Sequence, residues 1–161
     1  MKKLSLITLS ALSILFSSCL KNDGKDCCTT PFQPYIGYEI NGTVRYADVD
    51  AKKVGTDSLE ITGDNFDAKL TMHVKYTGNG KYALQGNQAR FNIKGTGSSV
   101  ISYNLKADTA NKVQIELADT IKKVAQGVFK LNFKRVSPAV AGYPDSIRIT
   151  RGQFALYLPK N

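Results

Sequence analysis

The stretch Ala68-Lys69-Leu70-Thr71-Met72-His73-Val74-Lys75-Tyr76 alternates apolar and polar side chains without a break. In an extended chain successive side chains point to opposite faces. Ala68, Leu70, Met72, Val74 and Tyr76 therefore share one face, and Lys69, Thr71, His73 and Lys75 the other. Strict alternation of this kind marks a strand with one buried face. Ile36, Tyr38 and Ile40 alternate the same way, and Asn41-Gly42 then turns the chain into Val44 and Tyr46. Asn-Gly between two such runs is the strongest short hairpin signal.

Further runs follow at Leu59 and Ile61, Tyr82 and Leu84, Phe91 and Ile93, Ile101-Tyr103-Leu105 and Val113-Ile115-Leu117. The series closes with Phe129-Leu131-Phe133, Ile147 and Ile149, and Phe154-Leu156-Leu158. Residues 119–127 offer one helical turn at most, and no other segment carries a helical period. The fold class predicted is all-β: an antiparallel β-sandwich of about 9–11 short strands, with a closed, lipocalin-like antiparallel barrel as the alternative. No period of 20–50 residues recurs, which argues against a propeller or solenoid.

Of the 161 residues, 42% are hydrophobic and 22% charged, a balance that belongs to folded rather than disordered chains. There is one His and no Trp. That argues against zinc centres, histidine acid–base chemistry and Ser-His-Asp hydrolysis. Residues 1–18, MKKLSLITLSALSILFSS, have a basic start, an apolar middle and small residues at the end, which is the grammar of an exported chain. The apolar part is too short for a comfortable membrane span.

The order Leu15-Phe16-Ser17-Ser18-Cys19 resembles a bacterial lipobox. The resemblance implies cleavage before Cys19, lipidation of its sulfur and attachment to a membrane surface by acyl chains. Leu20 stands where the inner-membrane retention signal has Asp, so the outer membrane is the expected address. The periplasmic and surface faces both stay open. Residues 19–34 read as the lipidated Cys and a flexible tether, and 35–161 as a single β domain. Cys27 and Cys28 are adjacent, which is far from ordinary disulfide geometry, and they read as exposed thiols in that tether.

The opening "YEINGTVRYA" and the closing "NKVQIELAD", "GVFKLNFKR" and "DSIRITRGQFALYL" resemble a group of small, uncharacterised all-β lipoproteins of Bacteroidetes. The resemblance covers most of residues 35–158 and implies fold and address. It implies no activity and no site residue.

The formal net charge is +9, and its distribution is uneven. Residues 19–121 carry equal numbers of basic and acidic side chains. Residues 122–161 carry Lys122, Lys123, Lys130, Lys134, Arg135, Arg148, Arg151 and Lys160 against Asp145 alone. Lys130, Asn132 and Lys134 alternate with Phe129, Leu131 and Phe133, so the cations are expected on the outer face of one strand, with Arg148 nearby. A single-sign patch concentrates anions and speeds their encounter. Lys130, Lys134, Arg148 and Arg151 are therefore the anion-binding candidates, although lysine on a sheet also serves to blunt edges. The partners expected are an anionic glycan or lipopolysaccharide, or an envelope protein. Nucleic acid is not expected, because no aromatic platform is interleaved with the cations.

Among the tyrosines, Tyr38, Tyr46, Tyr76, Tyr82 and Tyr103 fall on expected core faces. Tyr35, Tyr143 and Tyr157 are expected at the surface, and Tyr143 is the candidate for stacking on a ligand. Asp64-Asn65-Phe66-Asp67 offers oxygens on a turn, but without the ordered spacing of a calcium loop. No metal, no catalytic residue and no cofactor beyond the lipid on Cys19 are expected. The reading is a non-catalytic, envelope-anchored binding module for an anionic component. A structural accessory subunit of an envelope complex and a lipocalin-like carrier are the alternatives.

Overall fold

An Asn41-Gly42 turn with both residues at positive φ, 51° and 77°, folds strand β1 (Tyr35–Ile40) back on β2 (Thr43–Val54). Those angles are what a two-residue hairpin turn with strand-like twist requires. The computed structural model describes residues 31–95, 97, 99–107, 110–137 and 139–159, with the β unit beginning at Gln33. The leader at 1–18, Cys19 and the pair Cys27 and Cys28 lie outside the described residues. The remaining strands are β3 (Ser58–Asp64), β4 (Ala68–Lys75), β5 (Gly80–Ala83), β6 (Ala89–Lys94), β7 (Val100–Leu105), β8 (Lys112–Asp119), β9 (Val124–Arg135) and β10 (Ser146–Tyr157). A single 3-10 turn, Gly86–Gln88, leads into β6.

Every pairing is antiparallel, and the neighbours run β10-β1-β2-β3-β4-β6-β7-β9 before β9 pairs back with β10. The sheet is thereby a closed eight-stranded barrel. β8 and β5 are extra strands, added beside the first half of β9. The all-β class expected from the sequence is the one observed, and of its two architectures the barrel forms rather than the sandwich. The reason lies in β10, which hydrogen-bonds to β1 on one side and to β9 on the other, so the ring has no first or last strand.

Eleven expected runs become ten strands because the runs around Ile147 and Phe154 belong to one strand. Pairing shifts by one residue between Ile149 and Gly152, and the same irregularity is felt against β1. Thr150 and Arg151 thus form a β-bulge where the sequence suggested a turn, and a bulge bends a strand without ending it.

An eight-stranded barrel has an interior just wide enough for side chains. Here Phe91 is its hub: its ring meets Tyr38 edge-on at 5.9 Å, Tyr103 at 6.4 Å and Phe133 at 5.8 Å between centroids. Lower down, Phe129 and Phe154 stack at 6.5 Å. The quoted stretch at 68–75 alternates as expected, with Ala68, Leu70, Met72 and Val74 buried. Tyr46 departs from expectation. The two-residue turn pairs Ile40 with Thr43 and Tyr38 with Arg45, so Arg45 shares the inner side at the barrel mouth and Tyr46 points out. Its ring lies over Gly37, where an added Cβ would sit 2.9 Å from it.

Two polar clamps hold the irregular parts. Asn111, the one buried polar residue among those described, donates from Nδ2 to the Lys106 carbonyl at 2.7 Å and accepts from the Asn132 amide at 2.7 Å. It sits at the fork where β9 passes from pairing with β8 to pairing with β7. Arg135, part of the basic surplus after residue 121, grips the β9–β10 loop. It donates to the Tyr143 carbonyl at 3.0 Å and pairs with Asp145, and its side chain is only 9% exposed. The Tyr103 hydroxyl donates to the Pro144 carbonyl at 3.0 Å, tying the same loop to the core.

Candidate functional site

Phe129, Leu131 and Phe133 point into the barrel and are buried, which turns Lys130, Asn132 and Lys134 outward. Across β10, Asn132 faces Arg148 and Lys134 faces Ser146. Across β8, Lys130 faces Lys112. Three of the four sequence candidates, Lys130, Lys134 and Arg148, therefore stand on one outer wall, in consecutive rows of the sheet. Lys112 joins them, which the sequence reading missed. It comes opposite Lys130 because pairing shifts by one residue at Glu116, between Ile115 and Leu117. Without that bulge Lys112 would face the buried Leu131.

Arg151, the fourth candidate, sits in the β10 bulge. Its Nη1 lies 3.4 Å from Glu39 Oε2, with the arginine side chain 82% exposed. Such an exposed pair is weak and screened, so Arg151 remains open to exchange of partner. Among the described residues, no ion pair is formed by Lys112, Lys130, Lys134 or Arg148. Two further acids border this wall besides Glu39: Glu116, whose carboxylate accepts from Gln114 Nε2 at 3.4 Å, and Asp145, which pairs with Arg135.

A shallow groove of about 430 Å³ opens beside the β10 bulge, between β8, β9 and β10. Lys112, Lys130 and Arg151 rim it, Gln114 and Gln153 line its flanks, and Val128 lies on its floor. The row Gln114, Val128, Gln153 follows directly from the register. Gly152 cannot carry a side chain here, because a Cβ would overlap the Phe129 ring.

The other sequence candidates lie apart from this wall. Tyr143 is half-buried and packed against the core, held by the Arg135 and Tyr103 bonds to its loop; Tyr35 and Tyr157 are 37% and 52% exposed. His73 is on the outer face of β4, where its Nε2 stands 3.5 Å from Glu60 Oε2, and Glu60 also pairs with Lys52 at 2.7 Å. Asn65 Oδ1 accepts from the Asp67 and Ala68 amides at 3.0 and 2.7 Å, an ordinary turn motif, while Asp64 pairs with Lys69 at 3.4 Å. No group of three or more metal-ligating side chains gathers among the described residues. A second cleft of about 230 Å³ opens at the barrel end formed by Lys53, Asp57, Leu59, Tyr76, Lys123 and Leu158. It is smaller, and an acid shares it with the two lysines.

Compared with known protein families, curated proteins and solved structures, the chain finds no match.

Proposed function

We propose that this chain is a lipid-anchored, non-catalytic binding module of the bacterial outer membrane, and that its β8–β9–β10 wall takes an anionic component of the envelope or its surroundings. The observation that carries the reading is Lys112 directly opposite Lys130 on the outer face, with no acid paired to either among the described residues. Like charges directly opposite on a sheet destabilise it. A bound anion removes that repulsion. The lipobox-like order ending in Cys19 supplies the address, and Lys134 and Arg148 extend the cationic wall along the strands.

The accessory-subunit alternative would use a sheet edge or a loop, and only the edge can be weighed on strand geometry. The outer edge of β5 is four residues long, and so short an edge is a poor template for strand addition. A lipocalin-like carrier would need an open lumen where the rings of Tyr38, Phe91, Tyr103 and Phe133 are packed together.

The test is capture of the purified full chain, its acyl anchor held in neutral detergent, on immobilised lipopolysaccharide and on an immobilised neutral glycan, across a salt series. Capture on lipopolysaccharide is expected, weakening steeply with salt and lost in Lys130→Glu/Lys134→Glu. Equal capture on both supports, independent of salt, would reject the reading.

A further inference from the structure

The cationic wall is neither a point nor a uniform plane. Along β9 its rows are two residues apart, about 7 Å, and neighbouring strands are about 4.8 Å apart. Lys112 and Lys130 make the first row, Asn132 and Arg148 the second, and Lys134 with Ser146 the third. The cations therefore extend over roughly 14 Å along the strand direction. A single phosphate reaches one row only.

Neutral hydrogen-bonding side chains are interleaved with these charges. Asn132 stands beside Arg148, Ser146 beside Lys134, and Gln153 beside the groove floor at Val128. On β7, Asn104 lies opposite Lys134, and Arg90 of β6 lies opposite Asn104. A ligand made only of charge uses the cations and leaves the amides idle. A ligand carrying hydroxyls as well as acids uses both, since amides bond hydroxyls and lysine and arginine bond carboxylate or sulfate.

From this alternation we infer that the wall binds a linear acidic polysaccharide lying along β9, with its acid groups on Lys112, Lys130, Arg148 and Lys134 and its hydroxyls on Asn132 and Gln153. The inference rests on the anion-binding reading above and narrows it to one class. Val128, 38% exposed on the groove floor, gives the apolar face of a sugar ring a surface to rest on. The exposed aromatic on these strands, Tyr157 at the far end of β10, is single and stands beyond the cationic rows, which separates the site from one that stacks successive bases of single-stranded nucleic acid.

The experiment measures binding of the full chain, purified in neutral detergent, to polygalacturonate and heparin, to polyphosphate at equal charge concentration, to galacturonate monomer and to anionic vesicles. Polygalacturonate or heparin is expected to bind at least about tenfold more tightly than polyphosphate, and the monomer well over tenfold more weakly than the polymer. Gln153→Ala/Asn132→Ser is expected to erase that preference while leaving polyphosphate binding unchanged, whereas Lys130→Glu abolishes all of it. The length and charge series on the unaltered protein needs no variant to fold. Polyphosphate binding as well as the glycans, or salt-sensitive capture by anionic vesicles with no binding to the glycans, overturns the polysaccharide inference and leaves the anion-binding reading standing. Binding to none of these anions overturns both.

Discussion

Tyr38 carries its hydroxyl to a buried position where the Asn65 side chain lies beside it without completing a well-formed hydrogen bond. Burial raises its pKa above the ordinary value of about 10, with Arg45 and the neighbouring Asn65 side chain acting more weakly in the other direction. Burial raises Tyr103 likewise, opposed by Arg135. A buried hydroxyl without a partner costs about 1–3 kcal/mol. Tyr38→Phe is accordingly expected to raise unfolding free energy by about 1 kcal/mol in urea titrations; a loss of stability would mean that the hydroxyl has a partner. The alkaline limb follows from the sign of the shift. Below the unfolded pKa both states keep the proton and stability does not depend on these groups. As pH rises past about 10 the unfolded chain releases protons that the folded one retains, so stability falls. Tyr38→Phe should flatten that fall between about pH 9 and 11. Alternation alone marked both tyrosines as core. It misplaced Tyr46, because the pairing across a two-residue turn, rather than the residue's apolar ring, decides which face it takes.

Strands carry the next level of information, and there irregularity matters as much as period. All eleven expected runs emerge as strands or parts of strands, because alternation with period two marks an extended chain. The bulges at Glu116 and at Thr150–Arg151 leave no comparable trace, since one extra residue in a strand alters neither composition nor local period. Yet one brings Lys112 opposite Lys130 and the other borders the groove beside Gly152, so the candidate site was legible only in its β9 and β10 residues. Asn111 belongs to the same class of hidden signal. It sits in a polar stretch that reads as a loop, but both functions of its amide group are used where β9 changes neighbours. Asn111→Ala removes those two bonds and leaves the Asn132 amide and the Lys106 carbonyl without the Asn111 side chain. A loss of about 1–3 kcal/mol is expected in chemical denaturation, with β7 and β8 amides exchanging faster. A change below about 0.5 kcal/mol would show that the fork holds without it.

For the molecule as a whole, charge and closure separate. The wall of β8, β9 and β10 is cationic, while across the barrel on β2 and β3 Asp48 faces Asp64 and Asp50 follows on the same face. The surplus of basic residues after position 121 was readable by counting; that Lys130, Lys134, Arg148 and Arg151 among them share one wall required the register. Lys112→Gln should stabilise the domain by about 0.2–1 kcal/mol by relieving the repulsion with Lys130, and should weaken anion binding in the same protein. A variant that gains stability and keeps its affinity would remove Lys112 from the site. Closure was the least legible property, because alternation specifies which face a strand buries and says nothing about which distant strand it joins. That distant joining has a kinetic meaning. β1 hydrogen-bonds to β10, the first strand of the β unit to the last. Contacts so remote in sequence make folding slow. A chain that emerges N-terminus first leaves the β10-facing edge of β1 open until β10 arrives, so the barrel seals in one late step and its precursor has to be kept from pairing with other open edges meanwhile.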